Sequence, residues 1–207
     1  MNLKEYLGNP CRKLSIPYWK NKQIDLPKNI IALHKDEFLK SNIKFKKVDR
    51  FFRIIHKLNN KPFLSNQVTD TINIKSDMEQ LINLINICYE KEKIIVESTD
   101  INQWMNRKTY REDLWIKIVV EGKLIASGIA EIDSEANEGI LEWIQVDPLF
   151  QRKGYGKIIV KELIYRLSET VDFITVSGRI ENKSNPQKLY KSCGFEGDDI
   201  WYICYVA

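Results

Sequence analysis

The stretch Gln145-Val-Asp-Pro-Leu-Phe-Gln-Arg-Lys-Gly-Tyr-Gly-Lys157 constrains this chain more than any other. An apolar run, Gly139 to Val146, reads as a strand that stops at Asp147-Pro148. A loop carrying Gly154 and Gly156 follows. It opens directly into a helix whose Ile159, Val160, Leu163, Ile164 and Leu167 lie on one stripe. Glycines let a backbone pass close to a ligand, and a helix start offers free N–H groups and the positive end of the helix dipole. Arg152, Lys153 and Lys157 add charge at the same spot. Lys157, in the first turn, has the wrong sign for the dipole and costs about 0.3–1 kcal/mol unless an anion lies nearby. The segment is therefore expected to hold a phosphate or pyrophosphate. A Walker A loop is excluded, since Lys157 is followed by Ile158 and lacks the upstream glycine. A dinucleotide fingerprint is excluded because Ile159 stands where a third small residue is needed.

The rest of the chain supplies a mixed α/β frame. Ile30 to Leu33 and Phe51 to Ile55 are short apolar runs that suit strands, the second also a helical turn. Thr71 to Ile74 reads as a strand, and Ser76 or Asp77 caps a helix through Leu81, Leu84, Ile85 and Cys88. Thr99 or Asp100 caps another, to about Arg107. Leu114 to Val120 and Leu124 to Ile132 form a hairpin at Glu121-Gly122. Phe173 to Ser177 is a strand, Ser184 or Asn185 begins a helix, and Trp201 to Val206 closes the chain as a strand. An antiparallel meander followed by a strand-helix-strand crossover predicts a sheet covered by helices. Before Thr71 the dipeptides Asn9-Pro10, Ile16-Pro17 and Leu26-Pro27 favour extended or irregular backbone.

Charge divides the chain. Residues 1–68 hold 15 Lys+Arg against 5 Asp+Glu, and the remaining residues hold 17 against 23. We expect a basic N-terminal extension over 1–68, partly irregular and packed on the core, and a catalytic or binding domain over 69–207. The basic residues alternate with Ile, Leu and Phe, so a solvated lysine-rich exterior is preferred to a nucleic-acid contact. No window reaches eighteen uncharged apolar residues and the first residues lack an apolar signal core, which points to the cytoplasm and to no membrane partner. Cys11, Cys88, Cys193 and Cys204 are widely spaced, and His34 and His56 are the only histidines. Neither a disulfide framework nor a metal site is expected.

The loop resembles that of the GNAT superfamily of acyl-CoA-dependent N-acyltransferases, commonly V-x-P-x-x-[QR]-x-x-G-x-[GA]. Val146, Pro148, Gln151, Gly154 and Gly156 match every specified position. Downstream, Asn185-Pro-Gln-Lys-Leu-Tyr-Lys-Ser-Cys-Gly-Phe195 is similar to the family's second signature. The resemblance covers residues 71 to 207. It implies a GNAT-like central mixed sheet with two splayed strands flanked by helices, with acetyl-CoA entering the opening as co-substrate. By the same resemblance the backbone from Gln151 through Arg152, Lys153, Gly154 and Tyr155 to Gly156, with Lys157, holds the pyrophosphate. Ile144 and Val146 bond the pantetheine arm, and Asn185 and Tyr190 face the thioester.

The implied chemistry is direct attack of a primary amine on the thioester in a ternary complex, with a small-molecule or peptide acceptor. An alkylamine with a pKa near 10.4 costs roughly 4–5 kcal/mol to deprotonate at neutral pH, so a base or water relay is required. Glu142 is the only charged residue in the run Gly139 to Val146. Strand alternation puts it on the face of Ile144 and Val146, opposite Leu141, Trp143 and Gln145. It is the candidate base, or else a wet strand-end carboxylate or a counter-ion for the substrate amine; Glu131 and Asp133 are alternatives. Tyr190 is the candidate acid that protonates the departing thiolate. Cys193 is read as structural. Trp104, Tyr110, Trp115 and Trp143 suit either an acceptor pocket or the core. Two rivals remain open: a non-catalytic acyl-CoA-binding module, and a protein- or RNA-directed enzyme that uses the basic section.

Overall fold

A computed structural model describes residues 1–59 and 69–206. Residues 60–68, where the sequence places the end of the N-terminal extension, lie outside the described residues. The elements in chain order are α1 (Leu3–Gly8), α2 (Pro10–Lys13), α3 (Tyr18–Gln23), β1 (Ile30–His34), α4 (Lys35–Phe38), β2 (Lys47–His56), β3 (Asp70–Thr71) and α5 (Ile74–Tyr89). They continue with α6 (Ser98–Met105), β4 (Trp115–Val120), β5 (Lys123–Asp133), β6 (Glu138–Val146), α7 (Tyr155–Leu167), β7 (Phe173–Arg179), α8 (Pro186–Lys191) and β8 (Glu196–Tyr205). This is a mixed α/β fold with helices flanking sheet strands.

The chain forms two compact units, one of residues 58–172 and one joining residues 1–57 to 173–207. In the first, β3, β4, β5 and β6 are neighbours in that order, all antiparallel. The β4–β5 turn uses Glu121 at φ 50° and Gly122 at φ 77°, the left-handed pair that the hairpin signal implied. One sheet face is covered by α5 and α6 through Leu81, Ile85, Ile101 and Trp104, which pack with Ile72, Trp115 and Ile129. Ile159, Leu163 and Leu167 of α7 are fully buried, and α7 presses so close to β5 that only glycine fits at 128. A β-carbon there would collide with Ile159 and come within 2.9 Å of Leu163.

The second unit orders its strands β1, β8, β2, β7, again antiparallel. The N-terminal section therefore contributes two of the four strands, with β2 hydrogen-bonded on both sides, to β7 and to β8. Phe51 to Ile55 is a strand, not a helical turn. Sequence reasoning missed α1 to α4, which are four to six residues long and too short to show a period. Their caps are local: Asn2 and Asn9 accept from the N–H groups of Glu5 and Arg12. Arg53, 1% exposed, ties α1 and α2 down. Its guanidinium donates to the Tyr6 hydroxyl (2.9 Å), the Pro10 carbonyl (3.3 Å), Ser177 (3.1 Å) and Thr175 (3.2 Å). The Trp201 indole donates to the Cys11 carbonyl at 2.7 Å.

Two helix starts differ from expectation. Asn73, not Ser76 or Asp77, caps α5 by accepting from Lys75 N–H, while Asp77 reaches back to the Asn73 N–H at 2.7 Å. α6 begins at Ser98 with Glu97 as its cap, and Asp100 supplies the reciprocal bond at 2.8 Å.

Candidate functional site

Strand β6 delivers the chain to the glycine loop, and its hydrogen-bond parity sets what it offers. The Asp147 N–H donates to the Ile125 carbonyl at 2.8 Å, so odd-numbered residues here bond to β5. Ile144 and Val146 then turn their N–H and C=O groups away from β5. The Val146 carbonyl accepts from the Cys88 thiol of α5 at 3.3 Å and from the Gln151 side-chain amide at 3.1 Å. Burial pushes the Cys88 thiol up to about 11, the Val146 bond opposing it only in part, so Cys88 stays protonated near neutrality.

Glu142 departs from the alternation assumed for it. Ile129 pairs with Trp143 and Ala130 with Leu141, which leaves Glu142 as the extra residue of a β-bulge. Because Ile129 and Ala130 point to opposite faces, Trp143 and Leu141 do so too. The set Leu141, Trp143 and Gln145 expected on one face is thus split. Ser127 donates to the Gln145 side chain at 2.7 Å, in register with Trp143. Glu142 is half-buried. Burial, followed by the charges of Cys88, Glu92 and Glu142, pushes the Tyr89 phenol upward, and Tyr89 sits edge-on to Trp143 at 5.2 Å.

Beyond β6, Asp147 shapes the turn. Its carboxylate accepts from Leu149 N–H at 2.9 Å and from the Lys123 ammonium at 2.7 Å. Burial alone would raise its pKa, but the Lys123 pair and the Leu149 bond together hold it below the usual carboxylate range. The glycine loop then reaches φ 63° at Arg152 and φ 94° at Gly154, where α7 starts with no side-chain cap. Lys157 and Ile158 N–H bond back to the Gly154 carbonyl at 3.0 and 3.2 Å. Among the described residues, the six N–H groups from Gln151 to Gly156 donate to no acceptor in the chain. The side chains of Gln151, Arg152, Lys153 and Lys157 are exposed, and none of the three cations is ion-paired among the described residues. Lys153 covers the Phe150 ring at 4.9 Å. A groove of about 980 Å³ adjoins Asp147 and Lys123, lined also by Leu84, Ile87 and Ile95.

The remaining candidates take individual positions. Glu131 is 3% exposed and accepts from Arg107 at 2.8 Å. Asp133 accepts from the N–H groups of Glu135 and Ala136 and holds the β5–β6 turn. Trp104 stacks on Trp143 at 4.9 Å, and Trp115 meets Trp104 at 6.4 Å and Tyr110 at 5.5 Å, as part of the core cluster. In the other unit Asn185, at φ 52°, caps α8 through its side-chain oxygen on Lys188 N–H. Tyr190 is 6% exposed, with Phe52 at 6.1 Å and Phe195 at 5.7 Å. Cys193 follows at the end of α8, half-buried. No cluster of three metal-ligating side chains occurs among the described residues, and no described helix is long and apolar enough to cross a membrane.

Sequence reasoning missed Cys88 and the Asp147–Lys123 pair. A thiol on an apolar helix face carries no signal beyond packing. Asp147 before a proline marks a turn, but its lysine partner 24 residues earlier is set by the hairpin register.

Comparison with solved structures places the fold. A GCN5-related N-acetyltransferase from Sphaerobacter thermophilus superposes with a TM-score of 0.70 at 10% identity, over 89% of this chain and 62% of that one. A putative acetyltransferase of the GNAT family from Novosphingobium aromaticivorans gives 0.62 at 12% identity, over 88% and 70%. The ribosomal-protein-S18-alanine N-acetyltransferase from Escherichia coli gives 0.53 at 18%, over 68% and 94%. The chain thus spans less than two thirds of the first of these. No curated protein matches the sequence. The model of the acetyltransferase (GNAT) family matches residues 78–195, more than half the chain and inclusive of both β6 and the glycine loop. On that match, this chain belongs to the acetyltransferase (GNAT) family.

Proposed function

We propose that the protein is an N-acetyltransferase that passes the acetyl group of acetyl-CoA to a primary amine by direct attack in a ternary complex. The observation that carries this reading is the run of six backbone N–H groups, Gln151 to Gly156, that ends in an uncapped helix start. Unsatisfied donors, three cations and no acidic side chain between Asp147 and Glu162 fit a pyrophosphate. The backbone groups of Ile144 and Val146 suit a pantetheine amide because they face away from β5. Asn185 keeps its amide nitrogen for the donor while its oxygen caps α8.

Acetyl-CoA supplies the activated thioester carbonyl. Glu142, displaced by the bulge from the regular ladder, takes a proton from the ammonium of the acceptor or holds it as a counter-ion. Glu131 and Asp133 are already engaged, one by Arg107 and the other by two backbone donors. Tyr190 donates its phenolic proton to the departing thiolate. Family relatives include enzymes for quite different amines: a diaminobutyrate acetyltransferase from Paenibacillus lautus was crystallised with its substrate and coenzyme A, at a TM-score of 0.51 and 13% identity. The acceptor here is accordingly left as a primary amine.

Calorimetric titration with coenzyme A, followed by a thiol-release assay with acetyl-CoA against polyamines, amino acids, aminoglycosides and lysine peptides, tests the proposal. Binding followed by amine-dependent thiol release supports it. Binding without release from any amine would make the protein a sensor of acyl-CoA, and no binding at all would remove the loop assignment.

A further inference from the structure

The turn between α4 and β2 presents an unusual surface. Its backbone is pinned, with Lys40 and Ser41 N–H bonded to the carbonyls of Glu37 and Phe38, and Ile43 N–H bonded to the Ser41 hydroxyl at 3.2 Å. Yet Leu39 is 70% exposed and Ile43 54% exposed. In the same segment Phe38 stacks on Tyr202 at 3.9 Å and 6°, and on Phe45 at 5.8 Å. Lys40, Lys44 and Lys46 flank the two aliphatic side chains, are all exposed, and join no ion pair among the described residues. No carboxylate occurs between Glu37 and Asp49. The patch extends along one end of the sheet. Tyr205 of β8 pairs with Ile30 on one side and Lys47 on the other, so the segment before β1 leaves the sheet beside this turn. That segment exposes Ile24 (48%) and Leu26 (49%).

Single exposed aliphatics are ordinary, but two on one turn among three unpaired lysines, with two more on the segment that enters the same end of the sheet, suit an occupant that is both oily and anionic. A nucleic acid supplies the charge without the oil. It would also want free rings for stacking, whereas Phe38, Phe45 and Tyr202 are already stacked on one another. We propose that this end of the unit built from residues 1–57 and 173–207 docks peripherally on an anionic lipid surface. Leu39 and Ile43 enter the boundary between headgroups and acyl chains while the lysines meet the phosphates. Peripheral docking requires no spanning helix.

Sedimentation of the full chain with phosphatidylcholine vesicles, with and without phosphatidylserine, tests this. Binding is expected only to the anionic vesicles and should fall with added salt. Lys40→Gln, Lys44→Gln and Lys46→Gln should each weaken it roughly fivefold. Leu39→Ser with Ile43→Ser should weaken it at least as much, with circular dichroism and coenzyme A binding unchanged. Absence of vesicle binding, or equal binding by the wild type and the serine variant, would overturn the proposal. So would binding to single-stranded RNA that the lysine variants abolish and the serine variant does not, which would mark the patch as a nucleic-acid contact.

Discussion

The buried arginine network of one compact unit and the glycine loop of the other treat polar groups in opposite ways. In the unit built from residues 1–57 and 173–207, the buried polar side chains are turned inward. Arg53 spends its donors on four acceptors, and His34 bonds Asp199 at 3.0 Å while accepting from Asp36 N–H. In the unit of residues 58–172, the glycine loop has six successive main-chain donors with no acceptor among the described residues. Satisfied buried groups fix a structure; a row of unsatisfied donors at a surface is available to a ligand. Charge follows an inverse pattern. The first unit carries 18 basic and 9 acidic residues and the second 14 and 19, yet the loop proposed to hold an anion lies in the acidic one. On that proposal, local backbone geometry outweighs the net charge of the unit.

That contrast can be broken by substitution. The largest effect is expected from Arg53→Ala, which removes a guanidinium from beneath three hydroxyls and a carbonyl and should cost about 3 kcal/mol or more of stability. Chemical denaturation measures it. Affinity of the remaining folded protein for coenzyme A should be unchanged; a matching loss would show that the network serves the ligand as well. Tyr190→Phe should lower kcat about 10²-fold with little change in coenzyme A affinity. A retained kcat would leave Tyr190 as a packing residue between Phe52 and Phe195.

Gly154→Val should raise the dissociation constant for coenzyme A about tenfold or more, since φ 94° is strained for a β-branched residue. Nothing lies within 4 Å of a β-carbon there, so the fold itself should survive, and unaltered titration curves would contradict the cradle. Cys88→Ala removes one donor from the Val146 carbonyl and should raise KM for acetyl-CoA about two- to fivefold, leaving kcat alone. Equal loss in both constants would instead place Cys88 in the chemistry.

Acidification should produce the mildest separation of the two units. Burial holds His56 below its usual imidazole value, against the pull of Glu196. Its contribution is thus present above about pH 6.5 and withdrawn as pH falls, because the unfolded chain takes up the proton first. Asp147 and Asp77 are held low by Lys123 and Lys117, burial opposing, so the stability they lend persists until pH falls below about 3.8. Hydrogen exchange at mildly acidic pH should therefore show β2 and β7 losing protection before β4 and β5. The reverse order would remove His56 from this account.

Much of the second unit was legible in the sequence because its signals are local. Glu121-Gly122 selects the hairpin, the α7 stripe repeats at helical spacing, and Gly154 and Gly156 stand where a helix begins. Glu142 marks the limit of such reasoning. Alternation predicts a face for it, but one inserted residue in the β5–β6 register overrides the count.

Taken alone, the order of residues determined the strand, the glycine loop and the helix that follows it, together with the family they signify. These depend on φ/ψ preferences and periods of 2.0 and 3.6 that neighbouring residues carry among themselves. Only tertiary structure decided that β2 lies between β7 and β8, more than a hundred residues away, that Lys123 meets Asp147, and that Glu142 bulges. Those outcomes depend on which long-range pairing buries the most apolar surface without stranding polar groups, a competition among distant segments that no short window records.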